Sequence, residues 1–84
     1  MLKLKIVSPE RVEFDGEVQQ VIVPGTLGRF EILTDHAPII SSLEKGVVSY
    51  TVSGGEPVEL EVMGGFVEVQ KNQVSVCVEL NEIT

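Results

Sequence analysis

The sequence of 84 residues has no tryptophan, one cysteine, one histidine, four aromatic rings other than histidine and only six basic residues against thirteen acidic ones. Each shortage excludes something. Cys77 has no partner, so an internal disulfide is impossible, and a single thiol points to a reducing compartment. One histidine and one distant cysteine do not supply the roughly four ligands of a zinc site. The bases Lys3, Lys5, Arg11, Arg29, Lys45 and Lys71 stand isolated among acids, whereas phosphate binding needs clustered cations; nucleic acid is excluded as a partner. Phe14, Phe30, Tyr50 and Phe66 are too few and too scattered for a base- or sugar-stacking surface. No apolar run approaches the ~20 residues of a membrane helix, and Met1-Leu2-Lys3 leads into a strand-like segment without a secretory signal. Any membrane contact is therefore expected through a partner.

What is present is period-two patterning. Leu2, Leu4 and Ile6 alternate with Lys3 and Lys5; Val12 and Phe14 flank Glu13; Val21 and Val23 share one side of a third segment. Val58, Leu60 and Val62 alternate with Glu59 and Glu61, Val67 and Val69 enclose Glu68, and Val74, Val76 and Val78 alternate with Ser75 and Cys77. Valine is stiff at χ1 and suits a pleated surface, which strengthens the strand assignment. Turn chemistry at Asp15-Gly16, Ser53-Gly54-Gly55-Glu56 and Lys71-Asn72 predicts tight hairpins between neighbouring segments. Gly64-Gly65, between two strand patterns, predicts a bulge or the close approach of another backbone. The expected fold is all-β, a flattened barrel or two-sheet β-sandwich of about eight to ten short, mostly antiparallel strands. It forms one domain over residues 1–84, without repeat or linker. At this size roughly 60 to 65 % of the unfolded surface is buried on folding, enough for one thin core.

The stretch Pro24 to Pro38 breaks the pattern and reads as loop chemistry around an extended piece, Phe30 to Leu33. Gly25-Thr26-Leu27-Gly28 lacks the Gly-Lys-Ser/Thr ending of a nucleotide loop and precedes no helix, so its glycines serve backbone geometry. Asp35-His36 is the one place where a carboxylate adjoins a base. On an extended chain such neighbours point to opposite sides, and no nucleophile or metal set accompanies them; a turn or interface role is expected for His36, and no catalytic residue is assigned. Cys77 lies on the face opposite Val74, Val76 and Val78 and reads as a surface or interface residue. Neither a metal nor a cofactor is expected. A lipoyl-type carrier is the alternative reading, because such carriers are small β-sandwiches with a modified lysine at a hairpin tip. Lys71 occupies such a tip, but Gln70-Lys71-Asn72-Gln73 lacks the flanking acidic or methionine residues of those carriers.

The order Val23-Pro24-Gly25-Thr26-Leu27-Gly28, Ile32, His36-Ala37-Pro38, Leu43-Glu44-Lys45-Gly46 and Gly64-Gly65-Phe66-Val67-Glu68-Val69-Gln70-Lys71-Asn72-Gln73-Val74 resembles the epsilon subunits of bacterial F-type ATP synthases, over their N-terminal β-sandwich. The resemblance implies a non-catalytic subunit of the rotating central stalk, monomeric when isolated and present once per complex. Such a subunit binds the gamma subunit and the c-ring at the cytoplasmic face of the inner membrane and helps couple proton or sodium flow to ATP synthesis. By position, Gly25, Thr26, Leu27, Gly28, Arg29, Phe30 and Glu31 correspond to the part facing the c-ring, and His36, Ala37 and Pro38 to a turn near gamma. Arg29 stands where an acidic or small residue is often found, and Glu31 where glycine is common, so the polarity of the ring contact is expected to be locally reversed. Family members usually continue into a two-helix hairpin that restrains ATP hydrolysis. Nothing after Val78-Glu79-Leu80-Asn81-Glu82-Ile83-Thr84 builds one, so that inhibition is expected to be absent from this chain.

Overall fold

In the computed structural model, residues 1–80 are described; the expectation about the chain's ending falls on residues 81–84 and lies outside them. The described residues form nine strands: β1 (Leu2–Val7), β2 (Val12–Val18), β3 (Gln20–Gly25), β4 (Gly28–Ile32), β5 (Ile39–Leu43), β6 (Gly46–Thr51), β7 (Pro57–Val62), β8 (Gly64–Gln70) and β9 (Gln73–Glu79). They pair in the order β2-β1-β9-β8-β5-β3-β6-β7, with β4 attached to β3. The result is one curled sheet that folds over its own apolar face. Its shortest dimension is 19 Å, which fits two layers at the ~10 Å spacing of stacked sheets with their outer side chains added. This is the flattened all-β architecture that the alternation predicts.

The core follows from that alternation. Leu2, Leu4 and Ile6 of β1, Val67 and Val69 of β8, and Val74, Val76 and Val78 of β9 are buried on one face, and Val21, Val23, Ile32, Leu43, Val48 and Val62 meet them from the rest of the curl. Each such side chain contributes about 1.5–3 kcal/mol by leaving water. One pairing has no local signature: β1 runs parallel to β9, joining the two ends of the domain, while the other pairs are antiparallel. At the β7 edge, Pro57 removes a donor and Glu59 and Glu61 add charge, both of which discourage pairing with a foreign strand.

Three turn expectations resolve differently. Ser53 to Glu56 is a turn, with Gly54 at φ 76°, and Lys71-Asn72 is a tight turn with φ of 50° and 61°. Asp15-Gly16, by contrast, is no turn: β2 runs through it, with Asp15 opposite Lys5 and Gly16 opposite Leu4. A Cβ at Gly16 would lie 3.2 Å from the Phe14 ring, so this glycine makes room for an aromatic inside a strand. The chain changes neighbours at Gln19 instead, passing from β1's partner to β6's partner, with the Gln19 N–H donating to Thr51 O at 2.7 Å. A register shift between Ile6 and Val7 turns Val12 outward, against the expectation that it shares the Phe14 side. Gly65 meets the close-approach expectation: an added Cβ would sit 2.0 Å from Cys77 O.

Candidate functional site

The residues 25–31 are not a floppy loop but a tight hairpin. Gly25 faces Gly28, and Thr26 and Leu27 form the two-residue tip. Both glycines are required: a Cβ on Gly25 would lie 2.8 Å from Gly28 O, and Gly28 has φ 133°. The Thr26 N–H donates to Ser42 O at 3.1 Å and the Glu44 N–H to Pro24 O at 2.9 Å, which seats the hairpin on the end of β5. Leu27 is fully exposed at the tip. From there the side chains alternate, with Arg29 and Glu31 outward, Phe30 half-buried and Ile32 buried. Arg29 Nη1 makes a long contact, 3.4 Å, to Val47 O, and the Gln20 side-chain amide donates to the Glu31 carboxylate. A wet, rigid finger results, ending in one apolar residue with one cation and one anion behind it.

The residues 33–38 form the turn between β4 and β5. The His36 N–H donates to Leu33 O at 3.2 Å, and Asp35 adopts φ 66°. The extended-chain premise for Asp35-His36 therefore does not hold, yet the two side chains still do not pair. The Asp35 carboxylate accepts from Asn72 Nδ2 at 3.0 Å, and His36 Nδ1 lies 2.8 Å from Ala37 O; a carbonyl only accepts, so Nδ1 carries the proton. The His36 and Phe30 rings are 6.3 Å apart, so the turn and the hairpin touch. Ala37 and Pro38 are exposed. Lys71 is exposed at the β8–β9 turn beside Asn72.

A further surface escaped the sequence reading. On the outer face, Val12 lies opposite Val7, Val7 opposite Cys77, and Cys77 opposite Phe66, giving one rung of side chains across β2, β1, β9 and β8. Phe66 is 47 % exposed, and Val7, Ser8, Pro9, Phe66 and Cys77 line a shallow groove. On β5, Ile40 is 73 % exposed and sits one pleat from Ser42, the neighbour of Phe66, so the apolar band continues towards Pro38. The available signal was the apolar doublets Ile6-Val7, Phe66-Val67 and Cys77-Val78, in which one member must face outward. At the end of the groove, Glu13 Oε2 accepts from Ser8 Oγ at 2.9 Å and from Arg11 Nε at 3.0 Å; the Arg11 bond, then the Ser8 bond, hold the Glu13 carboxyl below its ordinary pKa.

A family model described as "ATP synthase, Delta/Epsilon chain, beta-sandwich domain" matches residues 1–83. The ATP synthase epsilon chain of Synechocystis sp. is 40% identical over 82 residues, covering 98% of this chain and 60% of the relative. That of Dichelobacter nodosus is 48% identical over 68 residues, covering 81% of this chain and 48% of the relative. The chain thus spans about half to three fifths of the length of these curated relatives. A chain in the Euglena gracilis mitochondrial ATP synthase OSCP/F1/c-ring structure has the same fold, with a TM-score of 0.86 at 19% identity, over 92% of this chain and 49% of that one. On the family match over nearly its full length, the chain belongs to the ATP synthase delta/epsilon chain β-sandwich domain family.

Proposed function

We propose that the chain is a non-catalytic part of the rotor stalk of an F-type ATP synthase, held between the gamma subunit and the c-ring, and that it helps couple ion flow to ATP synthesis. The observation that carries this reading is the pairing of two unlike outward surfaces on one close-packed block: the apolar band Val7–Cys77–Phe66 with Ile40, and the finger Gly25 to Glu31. A band of this kind suits a permanent protein neighbour, because leaving it wet costs hydrophobic free energy. The gamma subunit is its occupant in this reading, with His36, Ala37 and Pro38 at the margin. The finger suits the polar loops of the c-ring: Leu27 enters between loops, and Arg29 meets a carboxylate or carbonyl there. A stiff core passes force between the two surfaces without chemistry of its own. Membrane association then follows from the complex, at the cytoplasmic face of a bacterial inner membrane.

The charge reversal Arg29→Glu tests the ring contact. Arg29 is exposed and makes a single long backbone contact, so the reversal is expected to change domain stability by less than about 0.5 kcal/mol. Ion-driven ATP synthesis in reconstituted vesicles is expected to fall. Unchanged synthesis, or a fall matched by loss of the fold, counts against the assignment.

A further inference from the structure

The described residues include three non-glycine positions with positive φ: Asp35 at 66°, Lys71 at 50° and Asn72 at 61°. All three meet at one junction, although Asp35 and Asn72 are 37 positions apart in sequence. The Asp35 N–H donates to Asn72 Oδ1 at 2.6 Å, and Asn72 Nδ2 donates to Asp35 Oδ1 at 3.0 Å. The Asn72 carbonyl accepts from the Lys3 N–H at 2.9 Å, which anchors the same residue to β1. Asn72 thus uses its side-chain donor, its side-chain acceptor and its backbone carbonyl to join β1, the β8–β9 turn and the β4–β5 turn. A hairpin turn alone does not need this, because its positive φ is satisfied by asparagine or glycine with no long-range contact.

We propose that Asn72 is a positioning residue for the docking turn at residues 33–38. Its reciprocal pair with Asp35 fixes the one backbone kink from which His36, Ala37 and Pro38 project, and through the His36–Phe30 ring contact it also steadies the hairpin bearing Arg29 and Glu31. The left-handed conformation at Asp35 is one that only a short polar side chain tolerates well, and the pair with Asn72 holds it there. The link to docking rests on the proposed gamma contact of His36 to Pro38; the clip itself does not.

The test uses the isotope-labelled chain and amide hydrogen exchange. Asn72→Gly keeps the positive φ but deletes the clip. The Asp35 amide is expected to exchange about five- to tenfold faster, the factor that one ordinary hydrogen bond supplies, while amides of β1, β8 and β9 keep their rates. Asn72→Asp places two carboxylates together and is expected to loosen the turn at least as much. The double variant Asp35→Asn with Asn72→Asp restores a donor opposite an acceptor and is expected to recover slow exchange, a rescue that mere turn propensity does not produce. An unchanged Asp35 rate in Asn72→Gly, or failure of the double variant to rescue, overturns the clip. Affinity for a purified gamma–c-ring complex is read in parallel and is expected to fall in Asn72→Gly. If exchange rises and affinity holds, Asn72 does not position a docking turn and the gamma assignment of His36 to Pro38 falls, while the clip stands.

Discussion

Phe14 and Tyr50 pack in a tilted ring contact across the seam where the curled sheet meets itself, with ring centroids 4.3 Å apart and planes inclined by 41°. Phe14 belongs to β2, at one end of the strand order, and Tyr50 to β6, next to the other end. No backbone pairing joins β2 to β6 or β7 among the described residues, so side chains close the domain there. A double-mutant cycle with Phe14→Leu and Tyr50→Leu is expected to give a coupling of about 0.5–1.5 kcal/mol by denaturant unfolding, the range of aromatic pairs beyond simple burial. Additive single effects would contradict closure through this ring pair.

Burial also raises the Tyr50 phenol above its ordinary pKa of 10.0. The native state then keeps its proton at a pH where the unfolded state has released it. The resulting stability is complete below pH 10 and is lost as pH rises through the native-state value. Wild type is therefore expected to lose more stability than Tyr50→Phe between about pH 9 and pH 11, the range around the ordinary phenol pKa. Parallel curves for the two would show that the phenol is not desolvated.

Among the glycines of the described residues, Gly65 leaves the least room for a side chain. A Cβ there would lie 2.0 Å from Cys77 O and 2.9 Å from Val78 Cα, and φ is 143°. Gly65→Ala is expected to destabilise the domain by about 2–5 kcal/mol through overpacking and strain together. Gly54→Ala serves as the comparison: its φ of 76° opens onto free space, and about 1–2 kcal/mol is expected. Similar melting shifts for the two would remove the close-packing argument.

How much of this was legible in the sequence depended on whether each signal was local. β1, β8 and β9 announce themselves because each has one wet face and one buried face, so Lys, Glu, Ser and Gln mark the register. β6 shows no alternation, since Val48, Ser49 and Tyr50 are buried in succession, and it is marked only by the turn at Ser53 to Glu56 that follows it; β5 is not marked, since Ile39-Ile40-Ser41-Ser42-Leu43 has no clean alternation. Asp15-Gly16 carried a strong local turn signal that lost to tertiary pairing with β1 and to the space demanded by Phe14. The backbone role of Gly25 and Gly28 was visible, but the stretch reads as a loop, and the hairpin they close appears only in the structure. The apolar band was not visible, because the doublets do not say which outward residues meet: Phe66 and Cys77 are joined by the local β8–β9 hairpin, but Val7 joins them only when the parallel pair brings β1 beside β9. The Asp35–Asn72 pair, 37 residues apart, had no sequence signature at all.

The central claim is that this chain lives on the rotor, and co-purification tests it most directly. Affinity-tagged chain is expressed in cells with their own ATP synthase, recovered from detergent-solubilised membranes, and its partners are identified by mass spectrometry. Gamma and c subunits are expected in stoichiometric amounts, and Phe66→Ser, which alters a half-exposed outer residue, is expected to lower the recovery of gamma at least tenfold with little change in melting temperature. Recovery of the tagged chain free of gamma and c subunits, from cells whose synthase is intact, would contradict the account.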